Sequence, residues 1–180
     1  MISSIWELIT KLFYSFVLLS TLFLATADAY SQDFLISSNS QNAIKVLSDE
    51  GIANLDVEGA VSPWGVAADS DDNKIYWSNV TEGSIRRANA DGTNSEPVLT
   101  ELDVPRGLAV DTGSKKLFWA EGGSRSPAIR GLDLSSENAA VEDIITTDIS
   151  SPYHISLDSD NQQIYWVDNA LDAKHIKRAS

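Results

Sequence analysis

Beyond one uninterrupted apolar stretch, Leu12 to Leu24 (LFYSFVLLSTLFL), hydrophobic positions along the chain never recur at helical spacing. They come in short, β-prone runs separated by turn residues. The run Gly65–Asp69 (GVAAD) is apolar and small, as suits a strand crowded near an axis. Asp69 to Asn73 is turn chemistry, and Lys74–Ser78 (KIYWS) is aromatic and β-prone. Val80 to Gly83 reads as a loop, Ser84–Ala88 (SIRRA) as a third strand ended by Asn89-Ala90-Asp91-Gly92, and Glu96–Leu99 (EPVL) as a fourth. Pro97 cannot donate to a ladder, so the fourth strand belongs on an outer edge.

This unit repeats. Pro63 to Trp77 (PWGVAADSDDNKIYW), Pro105 to Trp119 (PRGLAVDTGSKKLFW) and Pro152 to Trp166 (PYHISLDSDNQQIYW) align without gaps, at periods of 42 and then 47 residues. Each places an Asp six residues after the Pro (Asp69, Asp111, Asp158) and a Trp eight residues later (Trp77, Trp119, Trp166). A partial unit precedes them: Phe34-Leu35-Ile36-Ser37-Ser38 takes the place of Ile75-Tyr76-Trp77-Ser78-Asn79, and Ile44 that of Ile85. It enters at its second strand. The units run over about residues 33–57, 63–103, 105–149 and 152–180. All-β units of about 40–45 residues with four strands each are the blades of a β-propeller.

The apolar stretch at the start has the length of a signal-peptide core and falls short of the roughly 18 residues of a membrane span. Ala25-Thr26-Ala27 and Ala27-Asp28-Ala29 suit signal peptidase, so residues 1–29 are expected to be a leader cleaved after Ala27 or Ala29. The rival is an uncleaved anchor over Ile5 to Ala27. No second such stretch follows, so residues 30–180 are expected in the secretory lumen or outside the cell.

Composition narrows the function. Twenty-six acidic and 13 basic side chains give a formal charge of −13, which argues against nucleic acid. With no cysteine, disulfide scaffolds, thiolate metal sites and cysteine nucleophiles are excluded. Asp69-Ser70-Asp71-Asp72-Asn73 begins like a calcium loop, but Lys74 stands where that loop needs Gly and Val80 where it needs Glu. No metal site, cofactor or catalytic set is expected. His154 and His175 lie far apart in the repeat.

The motifs Ile75-Tyr76-Trp77-Ser78-Asn79, Leu117-Phe118-Trp119-Ala120-Glu121 and Ile164-Tyr165-Trp166-Val167-Asp168 resemble the YWTD signature of the class B repeats in the low-density-lipoprotein-receptor family. The flanking Pro-x-Gly-hydrophobic-Ala-hydrophobic-Asp strand and the Ile85-Arg86-Arg87-Ala88-Asn89 strand are similar to the same repeat. The resemblance covers about residues 33–180 and implies a six-bladed propeller that binds an extracellular protein or peptide without catalysis. A repeat opening straight after a leader is similar to receptor-related proteins such as Wnt co-receptors. The chain departs from the signature at its Thr (Ser78, Ala120, Val167) and its Asp (Asn79, Glu121), carries His154 where Gly65 and Gly107 stand, and lacks the family's cysteine-rich companions.

The recurring Tyr76, Trp77, Phe118, Trp119, Tyr165 and Trp166 are read as filling between blades, and Asp69, Asp111 and Asp158 as turn formers. Asn79-Val80-Thr81 is an N-glycosylation sequon; Asn79 is either an acceptor or, in the place of the motif's Asp, held in strand-end hydrogen bonds. The residue after each Pro varies, as Trp64, Arg106 and Tyr153, three types enriched at binding hot spots. In the resembled family these positions, and the loops after the motif, open onto the face where ligands dock. That implies a contact rim of Trp64, Arg106 and Tyr153 with Thr81, Glu82 and Asn169; the alternative is that single exposed aromatics are ordinary. The acidity of the chain favours a neutral or basic ligand patch.

Two other readings compete. One is a propeller hydrolase of the calcium-dependent lactonase type. The other is a truncated product without independent function. The count is three strands, then four, four and three, about three and a half blades of six, whereas a six-bladed ring needs roughly 250 residues. An unclosed arc leaves strand edges open to self-association.

Overall fold

The computed structural model describes residues 24–26, 34–123, 126–136, 138–170 and 174–180. Four antiparallel sheets follow one another along the chain, each a meander whose strands pair in sequence order. The first blade holds β1 (Leu24–Thr26), β2 (Phe34–Ser38), β3 (Ala43–Ser48) and β4 (Gly51–Leu55). The second holds β5 (Pro63–Asp69), β6 (Lys74–Asn79), β7 (Ser84–Asn89) and β8 (Glu96–Leu99). β9 (Pro105–Asp111), β10 (Lys116–Glu121), β11 (Ala128–Asp133) and β12 (Glu142–Ile145) build the third. β13 (Pro152–Asp158), β14 (Gln163–Asn169) and β15 (Lys174–Ala179) build the fourth. No helix of the described residues is long and apolar enough to cross a membrane.

The first blade differs from the expected three strands. Leu24–Thr26 pairs antiparallel with β2, Leu24 opposite Ile36, and so takes the innermost place. Those residues fall within the expected leader, the rest of which lies outside the described residues. Cleavage after Ala27 or Ala29 would sever β1 from its sheet, so a mature chain has one or the other.

The inner strands stand side by side around an axis, β5 against β9 and β9 against β13. Alternation along each second strand sorts the aromatics between neighbouring blades. Trp77 packs with Leu35, Ile44, Val66 and Ile75, between the first and second blades. Tyr76, one residue earlier, points the other way and meets Leu108, Leu117 and Trp119 of the third blade. Trp166 and Ile155 meet Ala120 and Ile129, with Phe118 against them. The Trp of each motif thus faces the preceding blade and Tyr76 and Phe118 the following one. Ile44, Ile85 and Ile129 hold one register position on the third strands and are fully buried, whereas Ile176 in that position on the fourth blade is 81% exposed.

Two devices tie the blades together along the inner strands. Gly65 has no room for a side chain: a Cβ there would lie 2.6 Å from the Arg106 carbonyl oxygen and 2.9 Å from the Leu108 nitrogen. The hydroxyl at the motif's third position reaches across the same seam. Ser37 Oγ donates to the Trp64 carbonyl at 2.5 Å and Ser78 Oγ to the Arg106 carbonyl at 2.6 Å, while Ser78 Oγ also accepts the Gly65 N–H at 2.9 Å. Ala120 and Val167 carry no hydroxyl for this link.

Candidate functional site

Each inner strand is irregular at its start. In β5 the register slips by one residue between Pro63 and Val66, and β9 and β13 slip at the same place. Such a bulge re-aims the side chain it contains. The residue after each Pro sits there, which brings Trp64, Arg106 and Tyr153 together at one end of the inner strands. The Trp64 and Tyr153 rings meet edge to face with centroids 5.9 Å apart. The Arg106 guanidinium lies over the Tyr153 ring, 3.9 Å from its centroid, close enough for a cation–π contact. Arg106 Nη1 donates to Ser151 Oγ at 3.1 Å and to the Pro152 carbonyl at 3.0 Å. Burial lowers the pKa of Arg106, and the Tyr153 side chain opposes that shift. The guanidinium stays charged at any physiological pH.

Ser151 and Gly122 also build this rim; sequence reasoning did not assign Ser151, and it placed Gly122 only in a loop after the motif, beside the rim. A Cβ on Gly122 would lie 2.3 Å from Arg106 Nη1 and 2.5 Å from Cζ, so the guanidinium packs against the bare Gly122 backbone. The signal was legible: a Gly122-Gly123 doublet stands where the second blade has Val80 and Thr81. Thr81 and Glu82 are exposed in the neighbouring β6–β7 loop, and Glu82 accepts a hydrogen bond from Asn79 Nδ2 at 3.2 Å. Asn169 closes β14, half-buried, with its N–H on the Ser151 carbonyl at 2.9 Å.

The last motif position has one recurring task. Asn79 Oδ1 accepts the Val61 N–H, Glu121 Oε1 the Asp103 N–H and Asp168 Oδ1 the Ser151 N–H, at 3.1, 2.8 and 2.7 Å. Each secures the chain as it enters an inner strand. Where the position is acidic, a base on the third strand joins it: Arg130 reaches Glu121 at 2.6 Å and Lys177 reaches Asp168 at 3.0 Å. For Asp168, burial opposes ionisation, but the N–H groups of Ser151 and Ser150 and the Lys177 ammonium outweigh it, so its pKa is lowered. A lowered folded pKa means that the unfolded chain binds the proton more tightly. The stabilisation is present above the unfolded value and lost as pH falls through the folded one. Acidification below about pH 4 is therefore expected to reduce the denaturant midpoint, and Asp168→Asn to flatten that dependence; equal acid sensitivity in both proteins would refute the assignment.

Asn79 is fully buried. Its Nδ2 donates to the Gly59 carbonyl at 2.7 Å and also meets Ser84 Oγ at 3.3 Å. A glycan on that nitrogen would break these bonds, which are the strand-end hydrogen bonds that the sequence offers as the alternative to an acceptor. Peptide mapping of the chain secreted from a eukaryotic host is expected to find Asn79 unmodified; an occupied site would refute the buried placement.

The periodic acids sit at the opposite end of the inner strands and form turns. Asp69 Oδ1 accepts the N–H groups of Asp71 and Asp72, Asp111 Oδ1 that of Gly113, and Asp158 Oδ1 that of Asn161. Lys115, in the next blade's turn, reaches Asp72 at 3.1 Å and Asp69 at 3.5 Å. Among the described residues no group of three or more His, Asp or Glu side chains is placed to hold a metal ion.

Comparison with known proteins agrees with this geometry. The model of the low-density lipoprotein receptor repeat class B matches residues 73–112. That span runs from β6 to β9, so the sequence repeat straddles two blades, out of phase with the sheets by one strand. Protein cueball of Drosophila sechellia is 32% identical over 128 residues, 68% of this chain and 19% of that protein. The Drosophila ananassae protein of the same name is 32% identical over 137 residues, 72% of this chain and 20% of its own length. The chain thus spans about a fifth of the curated relatives it matches. Among solved structures, one in a crystal of a nidogen/laminin complex superposes with a TM-score of 0.75 at 22% identity, over 86% of this chain and 59% of that one. A gluconolactonase from Xanthomonas campestris superposes with a TM-score of 0.71 at 15% identity, over 86% and 56%. At these identities the likeness is one of fold. Residues 73–112 thus match a low-density lipoprotein receptor class B repeat, set in an all-β fold of four-stranded blades like that of a YWTD-type β-propeller.

Proposed function

We propose that the chain is an extracellular binding module that captures a protein or peptide ligand on the face carrying Trp64, Arg106 and Tyr153, without catalysis. The observation that carries this reading is the contiguous Trp64–Tyr153–Arg106 stack, drawn from three blades to one point by three equivalent bulges. Aromatic and arginine side chains held rigid lose little entropy on binding, which is why they dominate hot spots. The class B repeat supports the extracellular setting. The match to a chain from a nidogen/laminin complex is compatible with a propeller that docks another protein. A Wnt co-receptor-like role finds no support in these matches.

Panning a displayed peptide library against the chain tests the reading. Enrichment is expected with the parent chain and is expected to vanish when Trp64, Arg106 and Tyr153 are all alanine, with far-ultraviolet circular dichroism unchanged. Undiminished enrichment by the folded triple variant would remove the rim from the binding surface. The hydrolase alternative, prompted again by the gluconolactonase fold, predicts lactone turnover that rises on calcium titration. Self-association through the bare face around Ile176 is a further part of the proposal, read out by light scattering across protein concentration.

A further inference from the structure

Arg106 is a positioned base without an acid among the described residues. Several half-buried bases of the described residues have an acid: Arg87 pairs with Glu96, Lys115 with Asp69 and Asp72, Arg130 with Glu121 and Asp143, Lys177 with Asp168. Four do not: Lys45, Lys74, Arg86 and Arg106. Arg86 lies against Gly59, turns Nη2 to Ser95 Oγ and buries its Nε. Arg106 has no carboxylate of the described residues within ion-pair distance, yet it is held in place on several sides. One face of its guanidinium lies on Tyr153, Gly122 packs against the group, and Nη1 is tied to Ser151 and Pro152. What those contacts leave is the Nε–Nη2 edge. Neither nitrogen has an acceptor among the described residues, and neither belongs to the buried donors that lack one, so the edge meets solvent. An orientated guanidinium edge with two parallel N–H groups matches the two oxygens of a carboxylate.

We propose that this edge of Arg106 is a carboxylate-recognition point, and that the ligand sets one Asp or Glu side chain against it while its neighbours pack on Tyr153 and Trp64. The inference rests on the binding-module reading above and adds the chemical class of one ligand residue. It also refines the expectation from overall charge. A net charge of −13 favours a neutral or basic partner as a whole, and Arg106 calls for one acid within it. Carboxylate and guanidinium both lose water on docking, but the guanidinium is already partly desolvated and held in place, so little is spent on ordering it.

The test uses a library of blocked pentapeptides, randomised at every position, panned against the full chain, with the enriched peptides then measured by titration calorimetry. One position is expected to enrich Asp or Glu, and replacing that acid by its amide is expected to weaken binding about ten- to a hundredfold. Against Arg106→Gln the acid and its amide are expected to bind alike. Gly122→Ala keeps the charge but displaces the guanidinium, and is expected to abolish the preference as well, which covers the case of an Arg106→Gln chain that fails to fold. Enrichment with no acidic position, or an acid preference that survives in both folded variants, would overturn the inference while leaving the binding module standing. No enrichment of any peptide would count against both.

Discussion

Replacing Trp77 by alanine is expected to lower stability by about 3–5 kcal/mol, the usual cost of emptying a large aromatic site in a core. Trp77 is fully buried among Leu35, Ile44, Val66, Ile75 and Ala88, side chains from two blades. Its loss opens a cavity at the seam itself, where the second strand of one blade is the lining of its neighbour. The Ser37 Oγ–Trp64 carbonyl hydrogen bond ties the two blades across this seam, which hinders its closing over the void. Because a domain's whole stability is typically about 5–15 kcal/mol, the variant is expected to unfold at much lower denaturant or to accumulate as aggregate. Tyr165→Ala serves as contrast: Tyr165 is only half-buried, on the fourth blade. Denaturant midpoints followed by fluorescence check the pair, and equal losses in the two would show that the seam is not where the stability lies.

Gly107→Ala, a change of one methyl group, is expected to be nearly as damaging. A Cβ at Gly107 would lie 2.6 Å from His154 Cα, 2.7 Å from the Tyr153 carbonyl oxygen and 3.0 Å from the Ile155 nitrogen. These are backbone atoms of a paired strand, so no rotamer relieves the clash and β9 and β13 must separate. Overpacking of this kind costs about 1–3 kcal/mol, at the upper end where backbone has to move. The separation is also expected to pull Arg106 off Tyr153, one residue away on either strand, so ligand capture should fall further than stability does. Gly113→Ala is the matched control, its nearest neighbour being Asp111 Oδ1 at 3.6 Å. A Gly107→Ala chain as stable as the Gly113→Ala chain would refute the close approach of the inner strands.

The blades themselves were legible in the chain because they are local. Each strand is a short run of β-formers, each turn is marked by Asp, Asn or Gly, and consecutive strands pair with their sequence neighbours. The aromatic filler was legible for the same reason, since alternation sends Tyr76 and Trp77 to opposite faces of one sheet. The first blade was less so: the Leu24–Thr26 strand lies in an apolar run whose pattern suits a leader equally well.

The rim was half legible. Variation at the post-Pro position pointed to Trp64, Arg106 and Tyr153, but their mutual contact depends on strands 42 and 47 residues apart and on a bulge that no side-chain pattern announces. Asn79 shows the limit from the other side. As a sequence it satisfies the glycosylation pattern, and only the surrounding Gly59, Val61 and Ser84 groups decide that it is buried and bonded.

By itself the sequence determined the repeating unit, the four-stranded blade and the place of each aromatic, because these follow from hydrophobic periodicity and turn chemistry within some 40 residues. Only the tertiary structure decided how one blade sits against the next, and with it which glycines are obligatory, which hydroxyls bridge the seams and which arginine keeps an open hydrogen-bonding edge. Those outcomes depend on distances between residues remote in the chain, which local pattern does not encode. The candidate site lies where the inner strands meet, with Arg106 held by residues of two blades and, among the described residues, paired with no acid.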